Sequence, residues 1–496
     1  MIASSRQRVS ESGRAIYSRA QFALYGSAIL YVAVVVAAIW HHEPWADEAQ
    51  SWLLARDASL LELWTRLMHY EGSPGLWQTL LHILTGVGVP YVGLNITSGV
   101  LGFSAIWLLL RNAPFPLGIR LTLPFTFYLC YQYAVVARSY SLLPLLLFAC
   151  AMVYPETGVQ RSAATRDKGP VRRYWLFTIL LCLLAAVSIH GMVLSFSIWL
   201  VFQFSVAAEY FDTASAERKK LLAAAAVYLI VVALLAASAW PAKDVRFTPY
   251  PNYSMEHLLT VSANAFSQAF TGEWILSAAM VALSIPFLWR GRGLVVFALS
   301  SVLLCAVFGL IYSQVWHQGL LFLVWLFAIW IAANNTKITT PAIAALIVVI
   351  AFQCYWTIQS VRYDWSYPYS GSQEAARFLQ QADIPRLQLY AIGYACTGIQ
   401  PYFAANIFAN FNPGRRVAYW DWSSRNHVNQ DSENLAALRP DYVLVGYKGI
   451  GEHLIWTRLV KKAGYQMERH FDGNVFWHTR VLEPEAFDLY RRWDLK

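Results

Sequence analysis

The chain has 496 residues, of which 57% are hydrophobic, 15% aromatic and only 14% charged. That balance excludes an ordinary soluble domain, and uncharged apolar runs of bilayer length recur along the chain, which points to a polytopic helical membrane protein. The formal charge of +9 requires no nucleic acid as a partner, because membrane proteins keep Lys and Arg in their cytoplasmic loops.

In chain order, the apolar runs predict eleven spans, at roughly 21–40, 91–110, 121–137, 139–155, 174–190, 191–208, 221–240, 274–289, 294–312, 317–333 and 340–358. The first, Gln21 to Trp40, does not read as a cleavable signal: it is long, lacks a small-residue cleavage pattern and is followed by further spans. After it, 46–70 carries Trp52, Leu53, Leu60, Leu61, Leu63, Trp64, Leu67 and Met68 at helical spacing, and Ser59 with Glu62 matches a capping box. This pattern predicts two short amphipathic helices lying on the outer leaflet with tryptophans at headgroup depth. The turn Glu71 to Gly75 leads into 73–88, which is apolar but short for a crossing and reads as an interfacial or half-inserted helix. The longest loop between spans is 241–273.

From about Arg362 the composition turns polar and charged. "EAARFLQQA" and "HLIWTRLVKKAGY" read as helices, the second ending at Gly464, while "RLQLYAIG", "RVAYW" and "DYVLVGY" read as strands. The expected division is a membrane module at 1–361 and an α/β domain at 362–496, without a G-x-G-x-x-G nucleotide loop. Cys130, Cys150, Cys182, Cys305, Cys354 and Cys396 suggest neither a disulfide framework nor a cysteine metal site.

Orientation follows from basic residues. With the N-terminus inside, the inner segments carry 17 Lys and Arg and the outer loops only 5: Arg56, Arg66, Arg138, Lys243 and Arg246. The expectation is therefore a cytoplasmic N-terminus and an extracytoplasmic C-terminal domain in the inner (plasma) membrane.

On that topology several costly polar residues share the outer level. Asp47 and Glu48 follow the first span, where the plain alternative is a helix-capping acid beside a solvated one. Arg138, followed closely by Tyr140 in "ARSYS", is flanked by apolar segments and either anchors on a lipid phosphate or meets an anion in a cavity. His190 in "SIHGM" and His317 in "VWHQG" sit at outer span ends, where a lone histidine is more often packed than catalytic. Lys243 and Arg246 stand among tyrosines in the long loop and suit an anionic ligand. Carboxylates facing cations across one outer cavity can take a proton from a hydroxyl and stabilise a departing phosphate.

The segments "WADEAQSW", "EGSPGLWQTLLHIL", "YQYAVVARSYSLLPLLLF" and "SIHGMVLSF", in this order and on one side, resemble the GT-C superfamily of integral-membrane glycosyltransferases. The likeness is to the branch similar to protein O-mannosyltransferases and the lipid A aminoarabinose transferase, and it covers the first 360 or so residues. It implies that Asp47 acts as base or orients the acceptor, with Glu48 beside it, and that Arg138 binds the donor phosphate. The family's paired prolines are replaced here by Ser73-Pro74-Gly75, and a frequent Arg by Asn95; Lys243, Arg246 or His317 would then compensate. The resulting expectation is an inverting transfer of a sugar from a polyprenyl-phosphate donor to a hydroxyl of a glycan, lipid or protein acceptor. Some relatives need a divalent ion, but no third acid stands out beside Asp47 and Glu48, so neither a metal nor another cofactor is predicted. A transporter or flippase of a lipid-linked glycan, or a glycan polymerase or ligase, remains open; the lack of an internal repeat favours an enzyme over a transporter.

Overall fold

The computed structural model describes residues 2–154, 170–212, 215–245, 253–382, 384, 388–412, 415–424, 435, 437–478 and 481–495. The chain is mostly helical. Helix α1 (Ile2–His41) opens the bundle, and its segment Arg19–His41 is one of five described stretches long and apolar enough to cross a bilayer. The others are Gly93–Asn112, Arg218–Ser238, Val315–Asn335 and Thr340–Ser366. Val315–Asn335 is the central helix, with 94% of its apolar window buried. Peripheral helices turn their apolar side chains outward: Phe22, Ile29 and Leu234 are 82%, 70% and 66% exposed, as lipid-facing positions are.

Against the eleven spans expected from the sequence, the described residues hold five helices long and apolar enough to cross, or six with one bent pair. Met255–Phe270 and Trp274–Arg290 together make a sixth candidate, bent by 73°. Gly272 sits at the break with φ of 86°, a value glycine adopts without strain. The stretch read as the longest loop, 241–273, therefore contains a 16-residue helix. Ser139–Val153, Arg173–Ala185, Ile189–Ser205 and Leu294–Leu310 are apolar but shorter. The run 121–137 is not a continuous helix. It passes through the 3-10 turn Leu123–Phe125, the π-turn Tyr128–Gln132 and irregular backbone to Arg138, nearly all of it buried. Such backbone survives within an apolar bundle only where protein encloses it or it lines a polar site.

The helix ending the membrane module runs to Ser366, a little past the expected boundary at 362. The C-terminal unit holds strands β1 (Leu389–Ile392), β2 (Tyr442–Tyr447), β3 (Tyr465–Phe471), β4 (Asn474–Phe476), β5 (Leu482–Pro484) and β6 (Ala486–Arg492). The main sheet has the order β1-β2-β6-β3, with β1 and β2 parallel and the remaining pairs antiparallel; β4 and β5 form a separate antiparallel pair. Alternation along β2 sends Leu444 to one face, packed with Ala376 and Leu379 of helix Ser372–Ala382. It sends Val443 and Val445 to the other, beside Val460 of helix Ile450–Lys462. The segment "RVAYW" runs as irregular chain rather than a strand.

The predicted helix after α1 forms as α2 (Ala46–Asp57), and Ser59 Oγ accepts the Glu62 N–H at the start of the next helical segment. α2 is enclosed by protein, while Leu60 and Leu61 of the following segment are 41% and 74% exposed. Trp45 and Trp52 are both 3% exposed: Trp45 packs between Trp316 of the bundle and Trp477 of the C-terminal unit, and Trp52 against Tyr91. Gln50 clasps the backbone of Trp420 at both its N–H and its carbonyl (2.8 and 2.9 Å). Asp57 accepts the Ala418 N–H (2.7 Å), and Arg56 donates to the Phe403 carbonyl (2.8 Å). The first-turn N–H of Ala46, an orphan donor by its position in the helix, is taken by Glu485 (2.9 Å).

Candidate functional site

Asp47 and Glu48 are neighbours on a helix, so their side chains diverge by about 100°. Each enters a different environment. Asp47 projects toward the seam with the C-terminal unit and remains partly accessible, its side chain 20% exposed. Its Oδ2 lies 2.8 Å from Arg138 Nη1, and its Oδ1 accepts from Lys448 Nζ at 3.2 Å. The Tyr394 hydroxyl also hydrogen-bonds it. Burial alone would raise the Asp47 carboxyl; Lys448 and Arg138 outweigh that and hold it below the usual carboxylate range. Burial likewise works to lower the Lys448 ammonium, but Asp47 and Glu485 raise it above its ordinary value. The trio is therefore fully ionised at neutral pH.

The two cations are walled by aromatic rings. The Arg138 guanidinium lies 4.6, 5.7 and 5.8 Å from the ring centres of Trp316, Trp45 and Tyr140, and Lys448 Nζ lies 4.1 and 4.8 Å from those of Trp45 and Tyr394. Arg138 Nη1 is at ion-pair distance from Asp47 but makes no aligned hydrogen bond, so its N–H directions are unspent. Behind Tyr140, the cluster continues into the bundle. Gln314 N–H donates to His317 Nδ1 (3.1 Å), and Nε2 of that ring is hydrogen-bonded to the Tyr140 hydroxyl (2.7 Å) and to the Trp316 indole N–H (2.9 Å). His317 stacks on His190 at 4.0 Å between ring centres.

Glu48 points the other way and is fully buried. Its Oε1 accepts from Ala137 N–H (2.6 Å) and Asn95 Nδ2 (3.4 Å); its Oε2 accepts from Trp45 N–H (3.2 Å) and His42 Nε2 (3.1 Å). Nδ1 of His42 donates to Asp364 Oδ2 (3.0 Å), which also accepts from the Tyr131 hydroxyl (2.7 Å). With both ring nitrogens donating, His42 is an imidazolium. Burial opposes that charge, but Glu48 and Asp364 raise its pKa to about 10. Glu48 is thus no partner of Asp47 at the site. It is the strut that fixes Ala137, and with it the backbone that presents Arg138.

Of the residues singled out in the sequence, the structure brings together Asp47, Arg138, Tyr140, His190 and His317. Lys243 is exposed, next to Asp244, whose Oδ1 accepts from the Tyr70 hydroxyl (2.7 Å). Arg246 lies outside the described residues. Among the described residues, the cations that face Asp47 are Arg138 and Lys448. The sequence reading missed Lys448, which stands at the carboxyl end of β2, the edge where α/β sheets carry their functional side chains. It also missed Glu485, Tyr394 and Glu71. Glu485 is buried 3.7 Å from Lys448, and burial pushes its carboxyl up to about 7 against the pull of Lys448. Glu71 accepts from Gln50 (2.8 Å), and burial pushes it likewise to about 7. Among the described residues, no group of three or more His, Cys, Asp or Glu side chains is arranged to hold a metal ion.

No protein-family model matches the chain, and no curated protein or solved structure matches it either.

Proposed function

We propose that the chain is a GT-C-like integral-membrane glycosyltransferase. In this reading it moves a sugar from a polyprenyl-phosphate donor to an acceptor hydroxyl on the extracytoplasmic side, with inversion. One observation carries the reading: Asp47 is gripped by Arg138 and Lys448, cations from opposite sides of a seam, inside a wall of Trp and Tyr rings. No nucleotide sugar is available outside the cell membrane, so a donor used there carries its sugar on a lipid phosphate. The excess of Lys and Arg in the alternate loops supports that orientation.

The chemistry follows from exchange of anions. In the resting site Asp47 is a weak base, because two cations stabilise its charge. An incoming phosphate offers Arg138 and Lys448 a stronger, multidentate anion. Asp47 then gives up part of their stabilisation and accepts the proton of the acceptor hydroxyl. The acceptor oxygen forms a bond to the anomeric carbon from the face opposite the phosphate. The anomeric carbon–oxygen bond breaks, and its electron pair leaves with the polyprenyl phosphate, whose growing charge Arg138 and Lys448 neutralise.

The decisive experiment is turnover of a radiolabelled polyprenyl-phosphate sugar by purified protein, with appearance of free polyprenyl phosphate as the readout. Asp47→Asn is expected to lower turnover by about 10²–10⁴-fold, the range for a lost general base. Undiminished turnover would refute Asp47 as base. Movement of the intact lipid-linked sugar across a vesicle membrane without release of polyprenyl phosphate would replace the enzyme reading with that of a flippase.

A further inference from the structure

A cavity lies away from Asp47, which is not among its lining residues. It measures about 840 Å³, within the range of small-molecule sites. It is enclosed by the end of α1, the entry to helix Gly93–Asn112, the end of helix Thr340–Ser366, and Gln373, Arg377 and Tyr402 of the C-terminal unit. Its polar lining is unusual. Asp364 Oδ1, Glu43 Oε2 and the Tyr91 hydroxyl are all buried with no hydrogen-bond partner. Asp364 is the strongest case, since its side chain is 0% exposed and only its Oδ2 is used, by His42 and Tyr131. Leaving a buried carboxylate oxygen unpaired costs free energy that a bound donor returns. The one buried cation of the lining, His42, has both nitrogens committed to Glu48 and Asp364. The other, Arg377, is exposed at the edge.

The mouth has a different character. Trp40, Trp365, Tyr367 and Val92 line it and are 84%, 61%, 61% and 57% exposed. Trp40 and Trp365 each stand in the last turns of a helix long enough to cross a bilayer. Trp and Tyr at such positions mark the level of lipid headgroups. The cavity therefore combines hydrogen-bond acceptors within, aromatic faces at the wall and an apolar opening toward the bilayer. Hydroxyl groups satisfy the acceptors, aromatic rings stack on the C–H face of a sugar, and an acyl tail fits the opening.

We propose that this cavity is a second ligand site, taking the saccharide headgroup of a membrane glycolipid whose tails stay in the bilayer. The proposal needs no transfer reaction and is tested by binding alone. Purified protein in nanodiscs of phosphatidylcholine is titrated with a monoglucosyl diacylglycerol, and retained lipid is counted by native mass spectrometry. Plain diacylglycerol and free glucose are run in parallel. Retention of the glucolipid over both is expected, weakened roughly tenfold by Tyr91→Phe and by Glu43→Gln, each of which removes or alters one hydrogen-bond partner. Trp365→Ala, which removes a wall without touching the buried polar groups, is expected to weaken it too. Asp47→Asn is expected to leave it unchanged, which separates this site from the proposed transfer site. Equal retention of diacylglycerol, binding of free glucose as tight as that of the glucolipid, unaltered retention by all three cavity variants, or loss in Asp47→Asn would each overturn the proposal.

Discussion

Lys448→Met removes one of the two cations that grip Asp47, and its cost can be worked from the geometry. At the 3.2 Å separation of Nζ and Oδ1, a unit-charge pair in an effective dielectric constant of about 20 interacts by about 5 kcal/mol. Both groups are about one-fifth exposed, and the loss of solvation on pairing takes back a large part of that. The same ammonium is assigned to the departing phosphate. Removing one preformed partner of a developing anion costs about 3–4 kcal/mol, or 10²–10³-fold in turnover. The expected result is a fall of about 10²-fold in kcat, with Lys448→Arg recovering part of it because charge and reach are kept. A second signature separates this role from mere scaffolding. Without Lys448, burial acts on Asp47 against Arg138 alone, so the acid limb of the kcat/KM profile, which reports the free enzyme, shifts to higher pH. Folding is monitored by thermal unfolding of the same preparations. A folded Lys448→Met protein with unchanged kcat and an unmoved acid limb would show that the lysine neither holds Asp47 nor serves the phosphate.

His42→Phe leaves Glu48 and Asp364 buried without the imidazolium between them, and a loss of about 3–5 kcal/mol is expected, read as a lower unfolding midpoint and poorer accumulation; an unchanged midpoint would mean that the pair is neutralised in another way. Stability should also fall as pH rises. Glu43, Glu71 and Glu485 are each raised from 4.5 to about 7, so their contribution is complete below about 4.5 and is lost as pH passes 7; His42, raised to about 10, adds loss at higher pH. For the fully buried Glu485 alone, the shift corresponds to about 3 kcal/mol. Asp47, lowered, acts oppositely but only in strong acid. Unfolding midpoints measured from pH 5 to 9 should decline, with a flatter curve for Glu485→Gln; a midpoint that climbs from pH 5 to 7 would contradict the assigned burial.

What the sequence disclosed depended on whether a residue's neighbours in space were set by its neighbours in the chain. Arg138 was legible because a guanidinium between apolar segments is costly wherever it lands. The Ser59 cap was legible because its partner is three residues away. Lys448 was not, because its meaning depends on how the C-terminal sheet docks onto α2, some 400 positions earlier in the chain. Composition also misled in a regular way. The run 121–137 is as apolar as a span, yet protein on all sides buries it, and burial within protein selects the same residues as burial in lipid. Helix Met255–Phe270 carries Glu256, His257, Asn264 and Gln268 and so looked like a loop. The central strand β6 was missed because its charged Asp488 is buried, bonded to His453 and His470, where an alternating pattern would place an apolar residue.

The site is assembled from α2, the irregular 133–138 segment and the end of β2, and this division has a consequence for how it operates. Each cation reaches Asp47 from a separately supported piece of chain: Arg138 through Ala137 on Glu48, Lys448 through a sheet docked by Glu485 on Ala46. In the proposed transfer a phosphate would replace the carboxylate as their common partner, so that one anion is exchanged for another and neither cation need leave its aromatic wall. The energetic cost of preparing the site is thereby met when the protein folds rather than at each turnover. In that proposal Asp47 would become more basic while the phosphate is bound, since its lowered pKa in the resting site depends on cations that the ligand would take over. In the proposed reaction, proton transfer would thus be coupled to donor occupancy through the shared cations.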